Sequence, residues 1–178
     1  LTPEQIHFLV HKIDELNSMY DFIIIDTGAG ISDQVMEFVA SSSEIILVTT
    51  PEPTSITDSY SLLKALYKRK NFVPDNSRIK IIANKVTSRD DANIVYNKIN
   101  SVVMQFLKGK LEYLGYIPSD ASVERAVRQQ QIVSICEPFS KASRAYDDIA
   151  EKLLGNEATQ NTVKKSIAHI FSSFLKKH

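Results

Sequence analysis

One cysteine in 178 residues, Cys136, leaves no partner for an internal disulfide and excludes a Cys-based zinc site. A lone thiol fits a reducing cytoplasm. No apolar run approaches the roughly 20 residues that a membrane-spanning helix needs. Neither charge sign is in excess, since lysine plus arginine and aspartate plus glutamate both number 21. A phosphate-cradling loop is missing too. Such a loop reads G-x-x-x-x-G-K-[ST], and the only Gly-Lys pair, Gly109-Lys110, is followed by Leu111. The chain starts at Leu1, not Met, and Thr2-Pro3-Glu4-Gln5 reads as a helix start with no signal-peptide character. It therefore reads as a piece of a longer protein.

What is present describes a soluble α/β domain. An apolar fraction of 43% and a charged fraction of 24% suffice for one domain with a real core. The neutral total hides an asymmetry. From Asn161 onward there are four lysines (Lys164, Lys165, Lys176, Lys177) and no acid, which leaves 17 basic against 21 acidic side chains before it. A mildly acidic body argues against bulk nucleic-acid binding.

Short apolar runs alternate with helical periodicities. Thr2 and Gln5 frame a helix whose apolar positions are Ile6, Leu9, Val10, Ile13, Leu16 and Tyr20. Phe22 to Ile25 reads as a buried strand, 33–41 as a helix, and Ile45 to Thr49 as a second strand. A helix over 56–69, a strand at 79–83, a long helix near 90–108 and a weaker strand at 112–116 follow. Helices near 122–129 and 139–154 close the series. This alternation predicts a parallel sheet with helices on both faces. The domain is expected to cover 1–155, a polar linker 156–162, and a basic amphipathic helix 163–178, with Gly155 as the helix stop.

The distinctive polar residues all fall just after strands. Asp26 ends the first and opens Asp26-Thr27-Gly28-Ala29-Gly30; Pro51 and Glu52 follow the second, Asn84 the third, and Pro118 with Asp120 the fourth. In open α/β sheets this edge is where ligands bind. Taken one at a time, an Asp or Asn at a strand end is commonly only a turn or cap residue.

Taken in order, these segments resemble the successive motifs of MinD/ParA-type P-loop ATPases, over residues 15–154. The turn at Asp26–Gly30 and the run Thr50-Pro51-Glu52-Pro53-Thr54-Ser55 are most similar to that family's regulators of flagellar number and placement. The resemblance implies roles residue by residue. Asp26 would match the acid that holds the Mg²⁺ shell, through water, and positions the attacking water. Gly28 and Gly30 would let the switch backbone follow the γ-phosphate. Asn84 would hydrogen-bond the adenine, and Pro118 and Asp120 would flank it. Thr50 to Asp58 would lie beside the nucleotide near the family's dimer face, although a cap on helix 56–69 made by Thr54 or Ser55, supported by Asp58, is the simpler expectation there. A guanine reader would need an acid where Thr87 stands and a glycine where Ala29 stands, so adenine is favoured.

The resemblance further implies ATP and Mg²⁺ as cofactors, an ATP-dependent homodimer, contact with flagellar assembly proteins, and no direct nucleic-acid partner. The family's phosphate-binding loop precedes the strand that ends at Asp26, and 25 residues leave no room for it. Nucleotide binding by this chain alone is therefore expected to be weak or absent. Alternatives on the same scaffold are a non-catalytic interaction module, a cell-division regulator and a partitioning ATPase.

In the tail, Val163, Ile167, Ile170, Phe171, Phe174 and Leu175 recur at helical spacing opposite Lys165, His169, Ser172 and Lys176. With Lys164 and Lys177 this stripe suits the anionic inner face of the cell membrane, and the family resemblance points the same way. Packing on the domain itself or on a second chain would use the same stripe. His7 and His11, spaced i, i+4, lack a third ligand, so no metal site is expected there. Cys136 is expected to be a small, partly buried residue with no nucleophilic role.

Overall fold

The computed structural model describes residues 12, 15, 16, 19–28, 30–42, 44–70, 72–74 and 78–157. His7, His11 and the tail helix expected at 163–178 lie outside the described residues, as does most of the helix expected before Tyr20. The elements run α1 (Asp33–Ser41), β1 (Glu44–Thr49), α2 (Pro53–Tyr67), β2 (Arg78–Val86), α3 (Arg89–Leu107), β3 (Glu112–Pro118), α4 (Ala121–Arg128), α5 (Val133–Cys136) and α6 (Lys141–Glu157).

The caps explain the boundaries. Ser32 accepts from Val35 N to open α1. Pro53 occupies the first turn of α2, where its missing N–H costs nothing, so this helix begins three residues before the expected 56. Ser88 accepts from Asp91 N at 3.1 Å, and Asp91 in turn accepts from Thr87 N at 3.0 Å. These bonds satisfy the free amides at the start of α3. At its other end, Asn100 accepts from Leu111 N and the Tyr96 hydroxyl donates to Leu111 O. That pair of side-chain bonds sets where β3 begins. Gly155 does not stop α6, which continues to Glu157, two residues into the expected linker.

The three strands are parallel in the order β1-β2-β3. Ile45, Leu47, Ile79, Ile81 and Ala83 project to one face, against Leu63 and Leu66 of α2 and Val95, Ile99 and Val103 of α3. On the other face Ile82, Leu114 and Ile117 pack against Ala142 and Ile149 of α6. Gly115 permits that approach, because a Cβ there would lie 3.0 Å from Ile149 Cγ1. Helices thus cover both faces, as the alternation of patterns predicts.

The expected strand at 22–25 is corrected. Residues 22–28 carry no strand pairing, and Ile24 is 91% exposed. Apolar content sets the propensity for a strand, but a ladder needs a partner, and nothing local in Phe22–Ile25 specifies one. On β1, Ile46 and Val48 are likewise exposed, on the face that α6 covers only beneath β2 and β3.

Candidate functional site

The carboxyl ends of β1, β2 and β3 form one edge, and most of the predicted polar residues gather on it. At the end of β1, the Ser55 hydroxyl lies 3.1 Å from Thr49 Oγ1 and accepts from Thr50 N at 3.0 Å. This closes the Thr50–Pro53 turn onto the first turn of α2. The cap expected from Thr54 or Ser55 with Asp58 is not made, because the residue preceding the helix is Glu52. Asp58 sits exposed on the second turn. The Glu52 carboxyl is held below the usual carboxylate range, first by a hydrogen bond from the Thr50 side chain and then by its own backbone N–H, with the Lys85 ammonium adding to both.

At the end of β2 the chain does something no local signal foretells. Lys85 takes φ 55°, the left-handed region that a long side chain rarely adopts. Its backbone N–H donates to Asn84 Oδ1 at 2.9 Å. The Asn84 carboxamide is thereby oriented on the edge, half-buried, with its NH₂ free of that bond. Ser119 N donates to Val86 O at 2.9 Å and carries the ladder one step past Pro118. Pro118 thus pairs with Val86, one step past the Asn84–Ile117 pair.

Asp120 has a defined structural task. One carboxylate oxygen accepts from Ser122 N at 2.9 Å and the other from Ala142 N at 3.1 Å, so one side chain caps both α4 and the start of α6. Those backbone bonds, Ser122 first and Ala142 second, hold its carboxyl below the ordinary aspartate range. The folded chain then binds fewer protons than the unfolded one. The stabilisation is whole above the unfolded value of about 3.9 and is lost as pH falls through the lower folded value. Replacing Asp120 with alanine is expected to cost about 2 kcal/mol near neutral pH, the worth of two such caps. Urea midpoints of the two proteins should converge as the solution is acidified below the carboxylate range; a gap that persists there would refute the assignment.

Asp26, Gly28 and Gly30 are exposed. Gly30 takes φ 121°, which only glycine adopts without strain, so the turn after Asp26 does use its glycine. Asp26 is not brought into a metal-binding cluster. Among the described residues no group of three or more His, Cys, Asp or Glu could hold a metal ion. Asn84 and Pro118 thus lie at the ends of β2 and β3, while Asp26 stands outside any described cluster of candidate metal ligands. Cys136 is exposed at the end of α5, not partly buried as expected, since a one-turn helix turns only Val133 inward.

No protein-family model matches the chain. Curated relatives do. The antiactivator FleN of Pseudomonas aeruginosa is 37% identical over 153 residues, 86% of this chain and 53% of FleN. The flagellum site-determining protein YlxH of Helicobacter pylori is 30% identical, over 89% of this chain and 53% of YlxH. Among solved structures, a ParA family ATPase from Chlorobium tepidum superposes with a TM-score of 0.63 at 28% identity, over 86% of this chain and 57% of that one. The septum site-determining protein MinD of Pyrococcus horikoshii, complexed with Mg-ADP, gives 0.61 at 25% identity, over 82% and 55%. The chain spans about half the length of the curated relatives it matches. With the parallel sheet, its polar edge and these relatives together, the chain belongs to the MinD/ParA-type ATPase family.

Proposed function

We propose that this chain supplies the base-binding half of an ATP-dependent regulator of flagellar number or placement. The observation that carries the reading is the edge itself, where Asn84, Lys85 and Pro118 stand together at the ends of β2 and β3. The flagellar assignment is supported by the likeness to YlxH and FleN.

In the longer protein, a preceding segment would bring the phosphate-binding loop, and its strand would pair with the edge of β1 that has no partner among the described residues. Exposed Ile46 and Val48, with Phe22, Ile24 and Ile25, are apolar surface that the completed domain would cover. Mg²⁺ would neutralise the phosphates and polarise the terminal one. Asp26 would hold the water shell of that ion and orient the attacking water, Gly28 and Gly30 would let the turn rearrange, and Asn84 would select adenine. ATP would drive homodimerisation, and the tail would attach the dimer to the inner membrane surface. Two tails on one dimer bind more tightly than one through avidity. Among the described residues no helix is long and apolar enough to cross a membrane.

Cells carrying Asp26→Ala in the chromosomal copy should show altered flagellar number or position, counted by electron microscopy. Normal flagella with misplaced septa or lost plasmids would move the reading to the cell-division or partitioning branches. Sedimentation with anionic liposomes should fall sharply when residues 161–178 are deleted; equal sedimentation would remove the membrane role. The alternative on the same scaffold is a nucleotide-free interaction module. It predicts no ATP dependence of any of these properties.

A further inference from the structure

The segment from the end of α4 to the start of α6 turns four large apolar side chains outward. Val127 is 69% exposed, Ile132 63%, Ile135 75% and Phe139 83%. Gln131 N donates back to Ala126 O at 2.9 Å and Gln130, at φ 54°, folds the chain tightly between Val127 and Ile132. Ile132, Ile135 and Phe139 follow at spacings of three and four.

The backbone beneath them is fixed. Arg125 bonds both Glu137 carboxylate oxygens, at 2.8 and 2.9 Å, and the Ser122 hydroxyl donates to the same group at 2.9 Å. The fully buried Ser143 hydroxyl donates to Glu137 O at 2.7 Å. Arg125 and Ser122 hold the Glu137 carboxyl below its usual range, in that order. A segment held this firmly loses little further entropy when a partner covers it. Exposed apolar side chains on a rigid frame mark an interaction surface more often than scattered ones do.

The charges around the patch select the partner. Arg128 and Lys141 flank it in the chain, and Arg144 lies one helical turn beyond Lys141; none of the three is in a described ion pair. The acids of this region are Asp120, committed to two helix caps, Glu137, committed to Arg125, Glu124, and, one turn beyond Arg144, Asp147 and Asp148, so Arg128 and Lys141 are the cations left to a partner. We propose that this patch docks an amphipathic helix of another protein, with its apolar stripe on Ile132, Ile135 and Phe139 and acidic flanks meeting Arg128 and Lys141. Helix-in-groove recognition uses apolar anchors at i, i+3, i+4 and i+7 in this way. A second copy of the chain fits less well, because an isologous contact would bring the unpaired cations of both copies into one interface. An anionic bilayer fits less well too, since it would press phosphates on Glu124 and Glu137, whereas a helix can place its acids on the cations alone. The proposal does not depend on nucleotide binding.

The test uses the full 178-residue chain and a fluorescent synthetic helix, apolar at i, i+3, i+4 and i+7 with glutamates on its flanks. Anisotropy should show saturable binding, weakened about tenfold or more by Phe139→Ser, the usual cost of losing an interface anchor. Arg128→Glu with Lys141→Glu should weaken it similarly, and more so at low salt. Both variants alter exposed side chains, and unchanged urea midpoints would confirm that they fold. The proposal is overturned if a lysine-flanked helix binds equally well or if Phe139→Ser leaves binding unchanged. It is also overturned if neither helix binds, if phosphatidylglycerol vesicles are the ligand that Phe139→Ser abolishes, or if that variant instead dissolves a homodimer.

Discussion

Replacing Glu44 with alanine is expected to lower stability by about 3–5 kcal/mol, the usual cost of removing one partner from a buried ion pair. Glu44 opens β1 and pairs in register with Arg78 of β2. Its carboxylate meets the Arg78 guanidinium on one oxygen and Lys80 Nζ at 2.6 Å on the other. The Lys80 side chain is 1% exposed, so its ammonium cannot exchange this partner for water. Without Glu44 two cations would share the start of the sheet, one of them buried. Lys80→Met should by contrast cost little, since Arg78 still pairs Glu44 and the thioether fills the same space. The double variant Glu44→Ala/Lys80→Met should recover most of the loss. Urea unfolding of the four proteins gives the coupling directly, and additive single and double losses would show that the pair is not coupled.

In the longer protein that this chain would complete, Asp26→Ala is expected to lower kcat for ATP hydrolysis on the order of 100-fold. That is the scale seen when one group stabilising the transition state is removed. Asn84→Ala should behave differently. A contact to the base, remote from the reacting phosphate, is made equally in ground and transition states, so its loss raises KM and leaves kcat nearly unchanged. Initial-rate kinetics on the two variants separates the roles. If Asn84→Ala lowers kcat while KM stays constant, the carboxamide is not a base-binding group.

The alternation of buried strands and capped helices could be read from sequence because each rests on local rules. Ser32 and Ser88 sit where caps belong, and the apolar runs at 45–49 and 79–83 are flanked by helices of the right period. The polar edge was equally readable, since strand ends and their Asn, Pro and Asp residues are adjacent in the chain. Three features depend on distant contacts and left no local trace. Phe22–Ile25 has the composition of a strand but no described partner, so its pairing could not be deduced from its own residues. Lys85 adopts a left-handed conformation that lysine does not favour, at the register shift between Asn84 and Val86 where β2 pairs with β3. The Val133–Cys136 turn is too short for a periodicity to show, and Arg125, Ser122 and Ser143 set its place from other elements. Asp120 shows the reverse case. Its place beside Pro118 was readable, but its bond to Ala142, 22 residues away, was not.

We propose that this chain carries the base side of an ATP site and that the phosphate side lies in a preceding segment. Calorimetric titration of ATP with Mg²⁺ into the 178-residue chain and into the longer protein tests it most directly. The expected result is tight, magnesium-dependent binding to the longer protein and affinity weaker by about a thousandfold or more in the chain alone, the loss of several charge-assisted phosphate contacts. Equal affinities in the two proteins, or no binding by the longer one, would contradict it.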